Sequence, residues 1–169
     1  RFIFSISSSG NNELTPLQTA IFYDDKDMVS LLISYNNIDI NQVGIFYKNN
    51  VKYKLSALNL AILLDKKEIV RILLMHPNIE VNNTSISYKT NQKNTPFFFK
   101  DMFELTKYKL TPLQNAVLNA DDEMLSLLLS CQNIDINHLG FFINHLNTLE
   151  FTALHLAIYK RNPEIVKIL

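Results

Sequence analysis

The amino-acid sequence predicts an all-α fold with β-hairpin inserts, in which pairs of helices stack into a solenoid. Three observations predict it: one phrase occurs four times, the spacing inside each copy is constant, and the segments between copies alternate like strands. With 169 residues, of which 47% are hydrophobic, the chain is long enough to bury a core. We therefore expect one domain that spans residues 1–169.

The recurring phrase runs from Thr or Ser through Leu and a polar residue to Ala. A second phrase opens with an apolar residue 13 positions after each Thr or Ser. A third closes the first three copies and reads Asn-Ile-Asp-Ile-Asn in the first and third and Asn-Ile-Glu-Val-Asn in the second. The opening residues are Thr15, Ser56, Thr111 and Thr152. The copies span about 15–41, 56–82, 111–137 and 152–169, with the last one truncated.

Each copy predicts two helices. The opening Thr or Ser is placed to cap the first helix, and Pro or Ala follows at the first helical position. The second helices are apolar on most sides, so each needs neighbouring copies to cover it. Their expected caps are Asp25, Asp65, Asp121 and Asn162. We expect first helices near 16–23, 57–64, 112–119 and 153–160, and second helices near 26–35, 66–75, 122–131 and 163–169.

These phrases resemble the ankyrin repeat, whose signature is Thr-Pro-Leu-His-x-Ala. The match covers almost the whole chain, and the four copies keep one internal register. The resemblance implies a helix-turn-helix repeat solenoid that presents a concave face of hairpins and first helices to a protein partner. It also implies a chain with no catalytic activity of its own and no cofactor.

The resemblance further assigns a role to the polar position of the phrase. In this family the side chain there typically hydrogen-bonds neighbouring backbone. Because side chains that can donate a hydrogen bond fill this position in all four copies, we expect a structural role for His155 rather than a catalytic one. The four side chains are Gln18, Asn59, Gln114 and His155.

The copies depart from the family in length. They start 41, 55 and 41 residues apart, whereas an ankyrin unit has about 33 residues. The excess lies just before each opening Thr or Ser. Segments 44–48 and 51–55 predict two strands around an Asn-Asn turn, and 140–146 repeats the plan. We expect neighbouring hairpins with Leu14, Leu55, Leu110 and Phe151 at their base, whereas the aromatic part of the longest insert, 96–103, is compatible with a strand, a short helix or a loop.

Large aromatic side chains are concentrated in these inserts, outside the repeated helices. Because binding surfaces are enriched in such residues, the inserts are the expected partner-binding region. The alternative, that half of these rings pack hairpin against hairpin, stays open. The candidate partner-binding residues are Phe46, Tyr47, Tyr53, Phe97, Phe98, Phe99, Phe141 and Phe142.

Charge and motif content argue against other functions. Sixteen Lys and Arg balance sixteen Asp and Glu, so we expect neither nucleic-acid nor membrane binding. Cys131, His138 and His145 lack the spacing of a structural zinc site. The chain has no phosphate-binding or nucleophile motif either. We expect no catalytic, metal or cofactor site and no small-molecule substrate.

The ends of the chain and its cysteine content bear on context. The chain begins with Arg1 and stops at Leu169 inside an apolar segment, so we expect it to be part of a longer protein. Its single cysteine favours a reducing, intracellular and cytoplasmic location. Two functions follow: a protein-interaction module, or the recognition arm of a larger kinase, ubiquitin ligase or channel whose activity lies elsewhere.

Overall fold

The computed structural model describes residues 4–7, 11–49, 51–89, 107–143 and 147–169. Within these ranges, each copy of the phrase forms two helices that pack against each other. In chain order the helices are α1 (Pro16–Phe22), α2 (Lys26–Ile33), α3 (Ala57–Leu63), α4 (Lys67–Leu74), α5 (Pro112–Asn119), α6 (Asp122–Leu129), α7 (Ala153–Tyr159) and α8 (Pro163–Ile168). All eight helix predictions are confirmed, with ends that differ from the predicted ones by no more than two residues.

The first helices form one row, in which α1 contacts α3, α3 contacts α5 and α5 contacts α7. An Ala recurs at the point of contact. Ala61, Ala116 and Ala157 are completely buried, and Ala20 in the first copy is nearly so. The small side chain allows neighbouring helices to approach closely, because protein interiors are close-packed and leave no room for extra methylene groups.

The first helices begin at the predicted caps. The Thr15 hydroxyl oxygen accepts from the Gln18 backbone N–H at 3.2 Å, and the Gln18 amide oxygen accepts from the Thr15 backbone N–H at 3.0 Å. This reciprocal arrangement is a capping box, and it satisfies two of the donors that a helix N-terminus leaves free. Thr111 and Thr152 form the same arrangement, and Ser56 caps α3 through its hydroxyl.

The prediction that Asp65 caps a second helix is wrong. The N-cap of α4 is Lys66, which makes no side-chain capping bond, whereas Asp25 and its equivalents in the third and fourth copies do cap their helices. Asp65 instead lies in the turn between the helices with φ 57. Every copy places a left-handed residue at this point: Asp24, Asp65, Ala120 and Arg161. Asp accepts this conformation more readily than most residues.

Replacing Ala120 by Gly will stabilise the protein by about 0.5–1 kcal/mol. The left-handed conformation costs an L-residue about 1–2 kcal/mol, and the greater flexibility of Gly in the unfolded chain cancels part of the gain. Denaturant unfolding measures the change. The same substitution at Asp24 is the matched control and should gain less, because Asp tolerates positive φ. A lower midpoint for Ala120→Gly would contradict the expectation.

The inserts form a single sheet. In chain order its strands are β1 (Phe4–Ser7), β2 (Asn11–Leu14), β3 (Gly44–Lys48), β4 (Val51–Leu55), β5 (Ser85–Lys89), β6 (Lys107–Leu110), β7 (Gly140–Ile143) and β8 (Thr148–Phe151). All pairs are antiparallel, and the strand order in the sheet is the order in the chain. Neighbouring hairpins pair through β2 with β3, β4 with β5, and β6 with β7. The prediction of hairpins standing side by side is confirmed.

The predicted strands on either side of the Asn-Asn turn are confirmed as well. β3 and β4 pair from Gly44 with Leu55 to Lys48 with Val51, and Asn49 at the turn has φ 50. In the longest insert, β5 and β6 form the two ends, and the aromatic part 96–103 lies outside the described residues. The residues expected at the base of the hairpins are all buried in the core: Leu14, Leu55, Leu110 and Phe151.

Candidate functional site

The sheet has two faces, because successive side chains of a strand point to opposite sides. We call the face that looks toward the first helices the inner face. Phe46 on this face contacts Phe22 at the end of α1, with ring centroids 5.9 Å apart. Lys48 Nζ donates to the backbone carbonyl of Leu63 at the end of α3, at 3.4 Å. Alternate residues such as Tyr47 lie on the opposite, outer face.

An aromatic row crosses the inner face. Phe46 pairs with Tyr53 across the β3–β4 hairpin, and Tyr108 pairs with Phe142 across β6 and β7. The ring centroids are 6.4 Å apart in both pairs. Ser87 lies between the two tyrosines in the register of the sheet, and it is buried. Its small side chain leaves room for the tyrosines to approach each other.

The Tyr53 side chain hydrogen-bonds that of Tyr108. Burial raises the pKa of Tyr53 well above its usual value, and the neighbouring Tyr108 raises it further. A tyrosine hydroxyl is already neutral at physiological pH, and the raised pKa of Tyr53 strengthens that preference.

The outer face alternates lysines with rings. Four lysines lie on β4 and β6, and the strands beside them contribute two tyrosines and a phenylalanine. Three of the ammonium groups lie within reach of a ring face, the geometry of a cation–π interaction. The three pairs, with the distance from Nζ to the ring centroid, are Lys52 and Tyr47 at 5.9 Å, Lys107 and Tyr88 at 5.7 Å, and Lys109 and Phe141 at 5.9 Å.

Comparison with known proteins decides the family. A family model described as ankyrin repeats (3 copies) matches residues 2–85 and 88–169, which is nearly the whole chain. The chain belongs to the ankyrin repeat family. Among solved structures, it is similar to the ankyrin repeat domain of Bcl-3, described as a unique member of the IkappaB protein family. The two are 16% identical, the match covers 94% of this chain and 71% of that chain, and the TM-score is 0.39. The search of curated proteins found no match.

Ankyrin repeats are typically protein-binding modules, and the polar position of their phrase has a structural task here. Gln18 Nε2 donates to the Leu55 carbonyl at 2.7 Å, and Asn59 Nδ2 donates to the Asn83 carbonyl at 2.7 Å. His155 Nδ1 accepts from the Thr152 backbone N–H at 3.3 Å, as part of the capping box. The predicted structural role of this position is confirmed.

The ankyrin copies are also linked by an Asn that the sequence analysis did not single out. Asn41 Nδ2 donates to the Asn78 carbonyl at 2.7 Å, and Asn41 Oδ1 accepts from the Glu80 N–H at 3.0 Å. Asn82 makes the same two bonds one copy later. The recurrence of Asn at the end of the third phrase was the signal for this role.

The candidate partner-binding residues fall into three groups. Phe46 and Phe142 are only 4% and 5% exposed. They pack hairpin against hairpin, which is the alternative that the sequence left open, so burial removes them as partner contacts. Tyr53 is half-buried on the inner face, and Tyr47 and Phe141 are half-buried on the outer face. Phe97, Phe98 and Phe99 lie outside the described residues, and their role stays a prediction.

The lysines of the outer face were the residues that sequence reasoning missed. The signal was present, because β4 and β6 both contain Lys-Tyr-Lys-Leu, at 52–55 and 107–110. In a strand, this pattern places both lysines on one face and the tyrosine and leucine on the other. The net charge of the whole ankyrin chain is zero and therefore does not reveal this locally positive surface.

Among the described residues, no group of three His, Cys, Asp or Glu side chains is placed to hold a metal ion. In the same part of the chain, no helix has the length and apolar character needed to cross a bilayer. Burial raises the pKa of the Cys131 thiol, which makes it a poorer nucleophile.

Proposed function

We propose that this ankyrin array binds a partner protein on the surface formed by the inner face of the sheet and the first helices. The observation that carries the proposal is a line of large side chains at one position of the first helix. Phe22, Leu63, Leu118 and Tyr159 occupy it in the four copies. The first three are half-buried and Tyr159 is 49% exposed.

The rest of this surface is suited to binding as well. Phe22 packs on the buried Phe46 of the sheet, which joins the first helix to the hairpin beneath the proposed surface. Tyr53 and Tyr108 add half-buried rings with hydroxyl groups. Large rigid rings with a polar tip contribute much of the binding energy at protein interfaces, because they bury a large area at little cost in conformational entropy.

We further propose that these residues have no catalytic activity of their own and that the protein works in a reducing, intracellular compartment. The support for the location is the lone Cys131, which is half-buried against the core as a free thiol. Persistent disulfides are typical of secreted proteins, and this chain is built without them.

Site-specific photocrosslinking tests the proposed surface. Benzoylphenylalanine is introduced in place of Tyr159, on the first-helix surface, or in place of Tyr35, which follows α2 and is 59% exposed. We expect crosslinks to partner proteins from position 159 and not from position 35. Each replacement substitutes one exposed tyrosine, so the two variants carry the same chemical change and differ only in its position on the surface. Crosslinks from position 35 alone would show that partners bind the second-helix side instead.

A further inference from the structure

We propose that the outer face of the hairpin sheet is a second binding surface, and that its ligand is a short acidic segment, rich in Asp and Glu, of a partner protein. This goes beyond the proposed function, because it concerns the opposite face of the sheet and a defined ligand chemistry. The residues that carry it are Lys52, Lys54, Lys107 and Lys109, which we call the lysine square.

The register of the sheet defines the square. Lys54 is paired with Ile86, which is paired with Lys109 on the next strand. One step along the strands, Lys52 is paired with Tyr88, which is paired with Lys107. The two lysines of one strand are therefore about 7 Å apart, and the two strands that carry them are about 10 Å apart. An apolar residue and an aromatic ring fill the space between.

The four ammonium groups of the square have no carboxylate partner among the residues that the structure describes. Two lysines at the start of α4 differ from those of the square: Lys66 pairs with Asp24 at 3.0 Å, and Lys67 pairs with Asp121 at 3.1 Å. The net charge of zero thus hides an uneven distribution on the described outer face, where four lysines on β4 and β6 stand against one glutamate on β2 and one on β8.

The rings beside the square hold it in place. Three of its ammonium groups lie over Tyr47, Tyr88 and Phe141. Each such contact is attractive and favours the lysine conformations that keep the ammonium group beside the ring. A ligand carboxylate that binds there loses less free energy in ordering the lysines. The ring edges and Ile86 provide apolar surface for the ligand's other side chains.

The dimensions favour an acidic peptide over a nucleic acid. In an extended peptide, alternate side chains are about 7 Å apart, which is the spacing of the two lysines on one strand. The square is bounded by Glu13 on β2 and Glu150 on β8, which pair with Ile45 and Phe141. Nucleic acids gain affinity by neutralising many phosphates along their length, and a strand that crossed this face would meet a carboxylate on either side.

Fluorescence anisotropy with a defined probe tests the proposal. The probe is the fluorescein-labelled peptide Gly-Glu-Leu-Glu-Ser-Glu-Leu-Glu-Gly, in about 50 mM salt to limit screening. We expect the wild-type protein to bind it, and the double substitution Lys54→Glu with Lys109→Glu to weaken binding about tenfold or more. The matched control, Lys26→Glu with Lys167→Glu, changes the net charge equally on α2 and α8 and should leave the affinity nearly unchanged.

Further measurements make the outcome decisive. Lys54→Gln with Lys109→Gln should weaken binding in the same direction but less, and circular dichroism melts check that each variant is folded. The proposal is overturned if the wild type does not bind the peptide, if the control variant weakens binding as much, or if a labelled oligothymidylate binds more tightly than the peptide. Crosslinking from position 159 is unaffected by any of these results, so failure here is distinguishable from failure of the inner-face proposal.

Discussion

Gly44→Ser will destabilise the protein by about 2–4 kcal/mol, and Gln18→Asn will restore the part of the loss that comes from the glutamine side chain. A Cβ atom at position 44 would lie 1.9 Å from Gln18 Oε1 and 2.9 Å from the Glu13 backbone oxygen. The glutamine would have to move and give up its buried bonds to the Thr15 N–H and the Leu55 carbonyl. Buried groups left without partners account for the expected size of the effect.

The second copy explains why the double substitution should work. The first copy has Gln18 and Gly44 where the second copy has the shorter Asn59 and Ser85. Gly44 pairs with Leu55 and Ser85 pairs with Leu110, the buried leucine at the end of each hairpin. In the second copy the Ser85 hydroxyl donates to the Leu110 carbonyl at 3.3 Å. The hydroxyl introduced at position 44 can donate to Leu55 in the same way.

A double-mutant cycle in denaturant measures this coupling. We expect an interaction free energy of about 1.5–3 kcal/mol between the two positions, since residues in direct contact are not additive. Gln18→Asn with Gly44 retained supplies the fourth corner of the cycle. If the free-energy losses of Gly44→Ser and Gln18→Asn simply add in the double variant, the two positions are not coupled. The pairing of a long amide with glycine in one copy and of a short amide with serine in another would then not contribute to stability.

The second large effect is expected from Ala116→Leu, which should cost about 3 kcal/mol by overpacking. Ala116 is completely buried in α5, and α5 contacts first helices on both sides. Ala20→Leu is the matched control at the same position of the first copy. Ala20 is 6% exposed, so its site can yield and the cost should be smaller. Thermal and denaturant unfolding measure both, and equal costs would show that helix spacing is not what selects alanine here.

Much of the fold could be predicted because its signals are local. Thr-Pro and Thr-Ala mark helix starts, and alternating apolar residues around two asparagines mark a hairpin. Asp65 was misjudged because an Asp before a helix is a common cap, whereas a left-handed backbone angle leaves no mark in the sequence when the residue is not Gly. Only the neighbouring copies, with Asp24 and Ala120 at the same point, show the correct alignment.

The division of the aromatic residues between faces could be predicted only in part. A shift of one residue separates buried Phe46 from half-buried Tyr47, and alternation alone does not tell which set faces the helices. The leucine at the end of β4 could have decided it, because Leu55 lies on the same side as Tyr53 and Phe46. The contact between Phe46 and Phe22 depends on how the sheet lies against the helix row, which is a tertiary feature.

The register of the sheet is independent of what joins its strands at their far ends. β3 and β4 are joined by Asn49 and Asn50, whereas β5 and β6 are joined by residues 90–106, and both hairpins still end at a buried leucine and pair with their neighbours. Lengthening such a connection costs only about 0.6 kcal/mol for each doubling. The hairpin tips are therefore natural insertion points, where evolution or a protein engineer can graft new sequence while the stacked helices keep their geometry.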